Sequence, residues 1–148
     1  AKPPRIRRLA PAAPWVSEPP AGTGEASLTA SRPVTASTAL PGYEGSHVTA
    51  LGSGTFWRAA SSRPGEWIAA NLEFPYEISR IVVVFAEVPK QPWRVETSAD
   101  ARAFEPLHEG GSGGEELSFR LEFEPRLASA VRLTFPHSPV DVEEIRAY

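Results

Sequence analysis

The sequence contains no cysteine among its 148 residues. This excludes a disulfide framework, and it removes the thiolates on which zinc sites and cysteine nucleophiles depend. Methionine is also absent and the chain begins at Ala1, which favours a processed product or a segment of a longer polypeptide. No apolar run approaches the roughly 20 residues of a membrane-spanning helix, and residues 1–25 lack the apolar region of a signal peptide. We expect a water-soluble domain whose export signal, if its parent is exported, lies upstream.

A surplus of positive charge is missing as well. The 15 lysines and arginines are outnumbered by 18 acidic residues, which gives a formal net charge of −3. Four of the cations lie together near the start, at Lys2, Arg5, Arg7 and Arg8. The remaining sequence therefore lacks the basic excess that neutralises a phosphate backbone. These counts exclude nucleic acid as the expected partner.

Recognisable catalytic motifs are lacking too. The three histidines, His47, His108 and His137, are too far apart in sequence for a local metal-binding motif. Asp100 and Asp141 are the two aspartates, and the sixteen glutamates are scattered along the chain. No pair of carboxylates stands out as the general acid and base of a glycoside hydrolase. We therefore expect a protein that is not an enzyme.

The composition divides the chain into two regions. Residues 1–26 are rich in proline and alanine, which favours extended chain over helix or central strand, so we interpret them as a linker or tail. Residues 27–148 have the length and composition of one globular domain. Four apolar side chains of the tail are candidates to hold it against the domain surface: Ile6, Leu9, Trp15 and Val16.

The second region shows the periodicity of β-strands. Apolar and polar residues alternate over residues 117–124, 93–98 and 131–135, as in strands with one buried face. Ile81–Phe85 is a continuous apolar run, which predicts a central strand buried on both faces. The glycine-rich segment 110–114 reads as a flexible connection. With no capped helical pattern longer than ten residues, the sequence predicts an all-β jelly-roll sandwich.

Seven short motifs occur in a characteristic order along this region. They are Thr55-Phe56-Trp57, Glu66-Trp67-Ile68, Asn71-Leu72, Ile78-Ser79-Arg80-Ile81, Val95-Glu96-Thr97-Ser98, Val131-Arg132-Leu133 and Glu144-Ile145. In order and approximate spacing they resemble the discoidin family, also called the coagulation factor 5/8 type C domain, over residues 27–148. That family includes bacterial family 32 carbohydrate-binding modules, and the resemblance implies a galactose-binding-domain-like jelly roll.

The resemblance also implies where a ligand would bind. In the similar carbohydrate-binding modules the site is built from loops at one end of the sandwich, commonly with an aromatic residue, Arg, His and Asn. The corresponding loops here are roughly residues 38–49, 52–66, 86–93 and 136–141. The candidate ligand-binding residues on the first three loops are Tyr43, His47, Phe56, Arg58, Arg63, Lys90 and Trp93. His137, on the fourth, is read as a turn residue.

Each aromatic candidate has a structural alternative. Trp93 opens an alternating strand and could pack in the core or at its rim instead of presenting its ring to a sugar. Trp57 and Trp67 match the structural tryptophans of the resembled family, so we expect both in the core. Arg80 and Arg132 lie within predicted strands, where a solvated or ion-paired role is expected.

The sequence departs from the resembled family at its metal site. Many relatives hold a structural calcium with an Asp-Gly pair before the Thr-aromatic-Trp motif and a glutamate near the C-terminus. Glu144 matches that glutamate, but segment 50–54 lacks the aspartate, and calcium prefers six to eight oxygen ligands. We therefore expect no cofactor, with a weakened calcium site at Glu144 as the alternative. Asn71 replaces the aspartate usual before the leucine, where we expect a structural effect.

These observations favour a non-catalytic module that binds carbohydrate. A structural or protein-interaction module joined to other domains of a larger parent chain is the alternative, and binding to a membrane surface is less favoured because the loops carry little positive charge. The excess of arginine over lysine and the abundance of alanine and proline suggest a bacterial source. We expect a location outside the cell, in the periplasm or on the cell surface.

Overall fold

The architecture is antiparallel β throughout, as the alternation predicts. The structure is a computed structural model, and it describes residues 6–8, 26–110 and 116–148. Its elements are β1 (Ile6–Arg8), β2 (Val34–Ala36), a 3₁₀ helix (Gly45–Thr49), β3 (Glu66–Phe85), β4 (Trp93–Ser98), β5 (Glu105–Gly110), β6 (Ser118–Phe135) and β7 (Val142–Ala147). Among these residues, no helix has the length and apolarity needed to traverse a lipid bilayer.

The two long strands, β3 and β6, belong to both layers of a sandwich. The first half of β3 pairs with the second half of β6, and β2, β4 and β5 extend this layer in the order β2-β3-β6-β4-β5. The second half of β3 pairs with the first half of β6, and β7 and β1 flank this pair. Both long strands begin and end at one end of the molecule, and they bend at the other.

The bend in β3 is built by local hydrogen bonding. The register with β6 is broken between Asn71 and Tyr76, and Glu73 lies there with a φ of 71°. The Asn71 Oδ1 accepts a hydrogen bond from the Glu73 N–H at 2.8 Å, an Asx arrangement that supports this left-handed backbone. Arg32 then pairs with the Glu73 carboxylate at 3.0 Å. Asn71 thus has a structural role, as its sequence position predicts.

The core lies between the two layers. Ile81–Phe85 is buried along its whole length and runs between β6 and β7, which confirms the predicted central strand. Ile68 and Leu133 of the first layer join Val83 and Leu121 of the second in one hydrophobic cluster, and all four are fully buried. Burying such side chains is the main stabilising contribution to a sandwich of this size.

Within the proline-rich region, the structure describes one short strand. Ile6–Arg8 pairs with β6, and Ile6 lies opposite Phe123, so these three residues belong to the sandwich although they fall within the predicted linker. The rest of residues 1–25 lies outside the described residues, as do Leu9, Trp15 and Val16. In the predicted flexible connection, Gly110 still belongs to β5, whereas residues 111–115 are outside the described ranges.

The structure corrects the expectation that Trp93 contacts a ligand. Its side chain is fully buried and packs edge-on against Phe85 and Phe119, with ring centroids 5.1 Å and 5.0 Å away. A Cβ at position 110 would lie 2.2 Å from the Trp93 indole, so the ring packs in space that a side chain at Gly110 would fill. Because Trp93 shares a strand face with Val95, which is also fully buried, the alternation turns it inward.

Replacing Trp93 by alanine is therefore expected to act on stability. Removal of a fully buried aromatic side chain costs about 3–5 kcal/mol, which urea unfolding followed by circular dichroism measures directly. The matched control is Phe74→Ala at the bend of β3, where the ring is 64% exposed and a loss within about 0.5 kcal/mol is expected. Equal losses in the two variants would contradict the packing described here.

Candidate functional site

The loops at the end where β3 and β6 begin and end enclose an open cleft. Its volume is about 360 Å³, and its lining includes residues 58–62, Leu40, Glu87, Pro139 and Asp141. These residues come from the loop after β2, the segment before β3, the loop after β3 and the loop after β6. All four loops correspond to those expected to carry a binding site.

An extended segment before β3 sets the orientation of the site residues. Trp57 exchanges two backbone hydrogen bonds with Val142, at 2.7 Å and 3.0 Å, and its ring is fully buried, as predicted. Since side chains of extended chain alternate, Phe56 and Arg58 on either side of Trp57 turn away from the core. The Arg58 N–H donates to the Tyr43 carbonyl at 3.1 Å and thereby joins the two loops.

Arg58 is the centre of this arrangement. Its Nε donates to Asp141 Oδ1 at 3.1 Å and its Nη2 to Asp141 Oδ2 at 2.8 Å, a bidentate ion pair. The guanidinium carbon lies 4.8 Å from the centre of the Tyr43 ring and 5.4 Å from that of Phe56. The hydrogen bonds to Asp141, followed by its charge, raise the pKa of Arg58 above the ordinary value. The group is a fixed cation beside two aromatic rings.

Tyr43 and Phe56 form an aromatic pair that contacts Arg58 of the cleft lining without lining the cleft themselves. Their ring centroids are 5.1 Å apart at an interplanar angle of 38°, and both side chains are half-buried. The structure thus brings three of the predicted ligand-binding residues, Tyr43, Phe56 and Arg58, into contact with one another. Cation–π contact with Arg58 orders both rings at the surface.

Three other predicted residues, His47, Arg63 and Lys90, do not line the cleft either. His47, in the 3₁₀ helix, has its Nδ1 3.0 Å from the Phe56 carbonyl and thus lies against the backbone of the aromatic pair. Arg63 and Lys90 are exposed on loops at the same end but are not among the residues that line the cleft. His137 is exposed in the loop after β6.

Three acidic residues near the cleft were not predicted as site residues. Asp141 holds Arg58, Glu87 lines the cleft from the loop after β3, and Glu66 is buried behind Ser61. The signal available for Asp141 was its place in an expected binding loop as one of only two aspartates. Its pairing with Arg58, 83 residues away in sequence, could not be deduced from local pattern.

Glu66 is a buried carboxylate that is satisfied by hydroxyl groups. It is 6% exposed and accepts hydrogen bonds from Ser37, from Thr38 at 2.8 Å and from Ser61 at 2.7 Å. Burial alone would raise the pKa of Glu66, but these three hydrogen bonds, with the charge of Arg63, lower it below the ordinary value. The carboxylate is therefore ionised at neutral pH.

Comparison with known families shows which family the chain belongs to. The family model described as F5/8 type C domain matches residues 33–145, which is most of the chain. The chain belongs to the F5/8 type C domain family. The resemblance seen in the seven sequence motifs is thereby confirmed. No curated protein sequence matches the chain.

Solved structures show the same jelly-roll fold for this F5/8 type C domain. Chitosan-binding module 1 of a chitosanase/glucanase from Paenibacillus sp. IK-5 is 20% identical, with a TM-score of 0.74 over 84% of this chain and 99% of that one. The family 32 module of NanJ from Clostridium perfringens, in complex with galactose, is 13% identical, with a TM-score of 0.67 over 78% and 91%.

A third similar structure is the lectin domain of lectinolysin in complex with Lewis B antigen. It is 10% identical, with a TM-score of 0.74 over 83% of this chain and 96% of that chain. At such low identities these structures establish the fold, and the predicted jelly-roll sandwich is confirmed.

The calcium site implied by the F5/8 type C resemblance does not fit the residues present. Glu144 Oε2 accepts a hydrogen bond from the Gly52 N–H at 2.7 Å, and Oε1 accepts one from Arg146 Nε at 2.8 Å. A guanidinium so close to the carboxylate opposes a divalent cation by charge. The described residues also contain no group of three or more His, Asp or Glu side chains able to hold a metal. Arg146 and Gly52 occupy the carboxylate instead.

We expect the stability of the domain to depend on this ion pair and not on calcium. Glu144→Gln removes the negative charge beside the nearly buried Arg146, and a loss of about 3 kcal/mol in the free energy of unfolding is expected. Thermal unfolding should give the same midpoint with calcium and with chelator.

Glu143→Gln is the matched control for this test. Burial, followed by the charge of Glu144, raises the pKa of Glu143, so its ionised form is unfavourable in the folded state. Neutralising it should leave stability unchanged or slightly higher. A calcium-dependent rise in the midpoint of the unmodified domain would overturn the assignment.

Proposed function

We propose that this domain is a non-catalytic carbohydrate-binding module whose site is the cleft beside Tyr43, Phe56 and Arg58. The observation that carries the proposal is the position of Arg58, which is fixed by Asp141 and flanked by two aromatic rings at the edge of a cleft. Sugar recognition requires this combination, because the C–H face of a pyranose packs on an aromatic ring while its hydroxyls need fixed polar partners.

Each side chain has a distinct role in the proposed site. Tyr43 and Phe56 offer an apolar surface for the sugar ring. Asp141 engages Nε and Nη2 of Arg58, so the remaining N–H groups of this 44% exposed side chain are free to donate to sugar oxygens. Ser61 and Ser62 supply hydroxyls on the cleft wall. The site is preorganised, which lowers the entropic cost of binding.

The arrangement supports binding rather than catalysis. Both oxygens of Asp141 accept hydrogen bonds from Arg58, and Glu66 is enclosed by hydroxyl groups. Each carboxylate orients a neighbouring side chain, and neither is placed as an acid and base pair across a bond to be cleaved. The described residues thus contain recognition groups in the cleft without an evident catalytic pair.

The similar structures support the same conclusion. The names of the three include a chitosan-binding module, a complex with galactose and a complex with Lewis B antigen, and the first derives from a chitosanase/glucanase. We extend the proposal accordingly to a module that is joined to other domains in a larger parent chain. Its expected location is outside the cell or in the periplasm, where glycans are displayed.

A glycan array probed with the purified domain tests this proposal. Binding to one class of glycan is expected, and Phe56→Ala and Arg58→Ala should each weaken it by about fivefold or more, because each removes a contact worth about 1 kcal/mol or more. Titration calorimetry with the best glycan provides the measurement.

Two variants of the same chain serve as matched controls. Phe74→Ala removes an exposed ring at the opposite end, and Arg94→Ala removes a 46% exposed arginine that is paired with Glu109. Both should bind as the unmodified domain does. An array without binding, or equal losses in the controls, would contradict the proposed site.

The alternative of a protein-interaction module has one supporting observation. Phe74 and Leu127 are 64% and 56% exposed, and both lie where the two long strands bend. This apolar surface is at the end opposite the cleft. If the glycan array shows no binding, these two residues are the place to test for contact with another domain of the parent chain.

A further inference from the structure

The charges on the lining of the cleft do not cancel. Arg58 and Asp141 neutralise each other as an ion pair, whereas Glu87 lines the same cleft with an exposed carboxylate. None of the ion pairs found among the described residues includes Glu87. The charge of Glu87 reaches Arg58, although more weakly than that of Asp141. The lining of the cleft therefore has one negative charge in excess.

Glu87 is held close to the centre of the site by the backbone. It is the second residue after β3, and the N–H of its neighbour Ala86 donates to the Asp141 carbonyl at 3.0 Å. This bond places the start of the loop after β3 beside the residue that anchors Arg58. Glu87 is thus fixed at its backbone while its side chain stays accessible to a ligand.

A second negative charge lies behind the cleft wall. Glu66 is buried and ionised, and the side chains that hydrogen bond to it are hydroxyls of Ser37, Thr38 and Ser61. Ser61 also lines the cleft, so this carboxylate is one hydroxyl group away from a bound ligand. The charge of Arg63 also lowers the pKa of Glu66. Arg63 and Lys90 are exposed at this end and do not line the cleft, so the two carboxylates, one on the lining and one behind it, are the charges outside the Arg58–Asp141 pair that lie nearest to a ligand in the cleft.

We infer that the cleft prefers glycans whose sugar units carry a protonated amino group, with Glu87 as the residue that determines this specificity. The inference rests on the proposed function and names the class of glycan for the same site. A neutral sugar gains nothing from an excess carboxylate, and a glycan that carries carboxylate or sulfate is repelled by it. A protonated amine forms a charge-assisted hydrogen bond with Glu87, which is about twice as strong as a neutral one.

The test compares two trimers that differ only at nitrogen. Calorimetry at mildly acidic pH, where the amines are protonated, measures binding of the glucosamine trimer and of its fully N-acetylated counterpart. The glucosamine trimer is expected to bind about tenfold more tightly. In Glu87→Gln this preference should disappear while the affinity for the N-acetylated trimer is retained.

Two controls separate this specificity from general attraction of a cation to an acidic protein. Glu77→Gln removes the same charge at the bend of β3, at the opposite end of the sandwich, and should keep the preference. A lysine trimer should bind at least about tenfold more weakly than the glucosamine trimer, because it lacks the sugar ring.

The possible outcomes have different meanings. Loss of the preference in Glu87→Gln but not in Glu77→Gln supports the inference. Equal binding of the two trimers, an unchanged preference in Glu87→Gln, or equally tight binding of the lysine trimer overturns it and leaves the proposed carbohydrate site intact. If neither these trimers nor any glycan on the array binds, the proposed function fails and the inference fails with it.

Discussion

The pairing of β3 with β6 is the constraint on which the rest of the molecule depends. These two strands cross both layers, and their register runs from Glu66 opposite Phe135 to Val84 opposite Ser118. Because each strand bends once, the four chain segments at their ends meet at the same end of the sandwich. The cleft lies there, between loops that are distant in sequence. A cleft in that place follows from the topology, and the residue types on the loops decide its chemistry.

Burial of one tryptophan orders the recognition residues. Trp57 is fully buried and hydrogen-bonds through its Nε1 to the Thr38 carbonyl at 2.9 Å. Its position in extended chain fixes the outward direction of Phe56 and Arg58, which then meet Tyr43 and Asp141 from other loops. The core and the proposed site are thus coupled through a single segment of backbone. The ion pair of Arg58 with Asp141 on the outer side of this segment orients the side chains. It changes the stability of the domain little, as expected of an ion pair at a surface.

The fold could be predicted from the sequence because its signals are local. Alternation with a period of two identified the strands around Val95, Leu121 and Leu133, and the apolar run at 81–85 identified a central strand. The site could be predicted only in part. Tyr43, Phe56 and Arg58 were predicted as candidates because the motif order placed their loops at one end. The positions of Asp141 and Glu87 at the cleft depend on contacts between loops, which no local pattern contains.

The alternation of side chains along a strand explains where Trp93 and Trp67 lie. Trp93 shares the inward face of β4 with Val95 and is fully buried, so its predicted contact with a ligand was wrong. Trp67 was expected in the core, but it alternates with Glu66 and Ile68, both buried, and lies half-exposed on the outer face near Arg132. For Trp93 the parity of the position along the strand agrees with the general tendency of tryptophan to be buried, whereas for Trp67 it outweighs that tendency.

The loop that precedes Phe56 is held by Glu144, which is paired with Arg146 of the same chain. A loop that is held by a bound metal obeys mass action, so its order rises and falls with the free concentration of that metal. Here the cation is part of the chain and lies two residues from Glu144, which in turn holds the Gly52 N–H. The effective concentration of the Arg146 guanidinium beside Glu144 is constant, whatever the composition of the medium. The loop that precedes Phe56 is therefore held by a cation that the chain itself supplies.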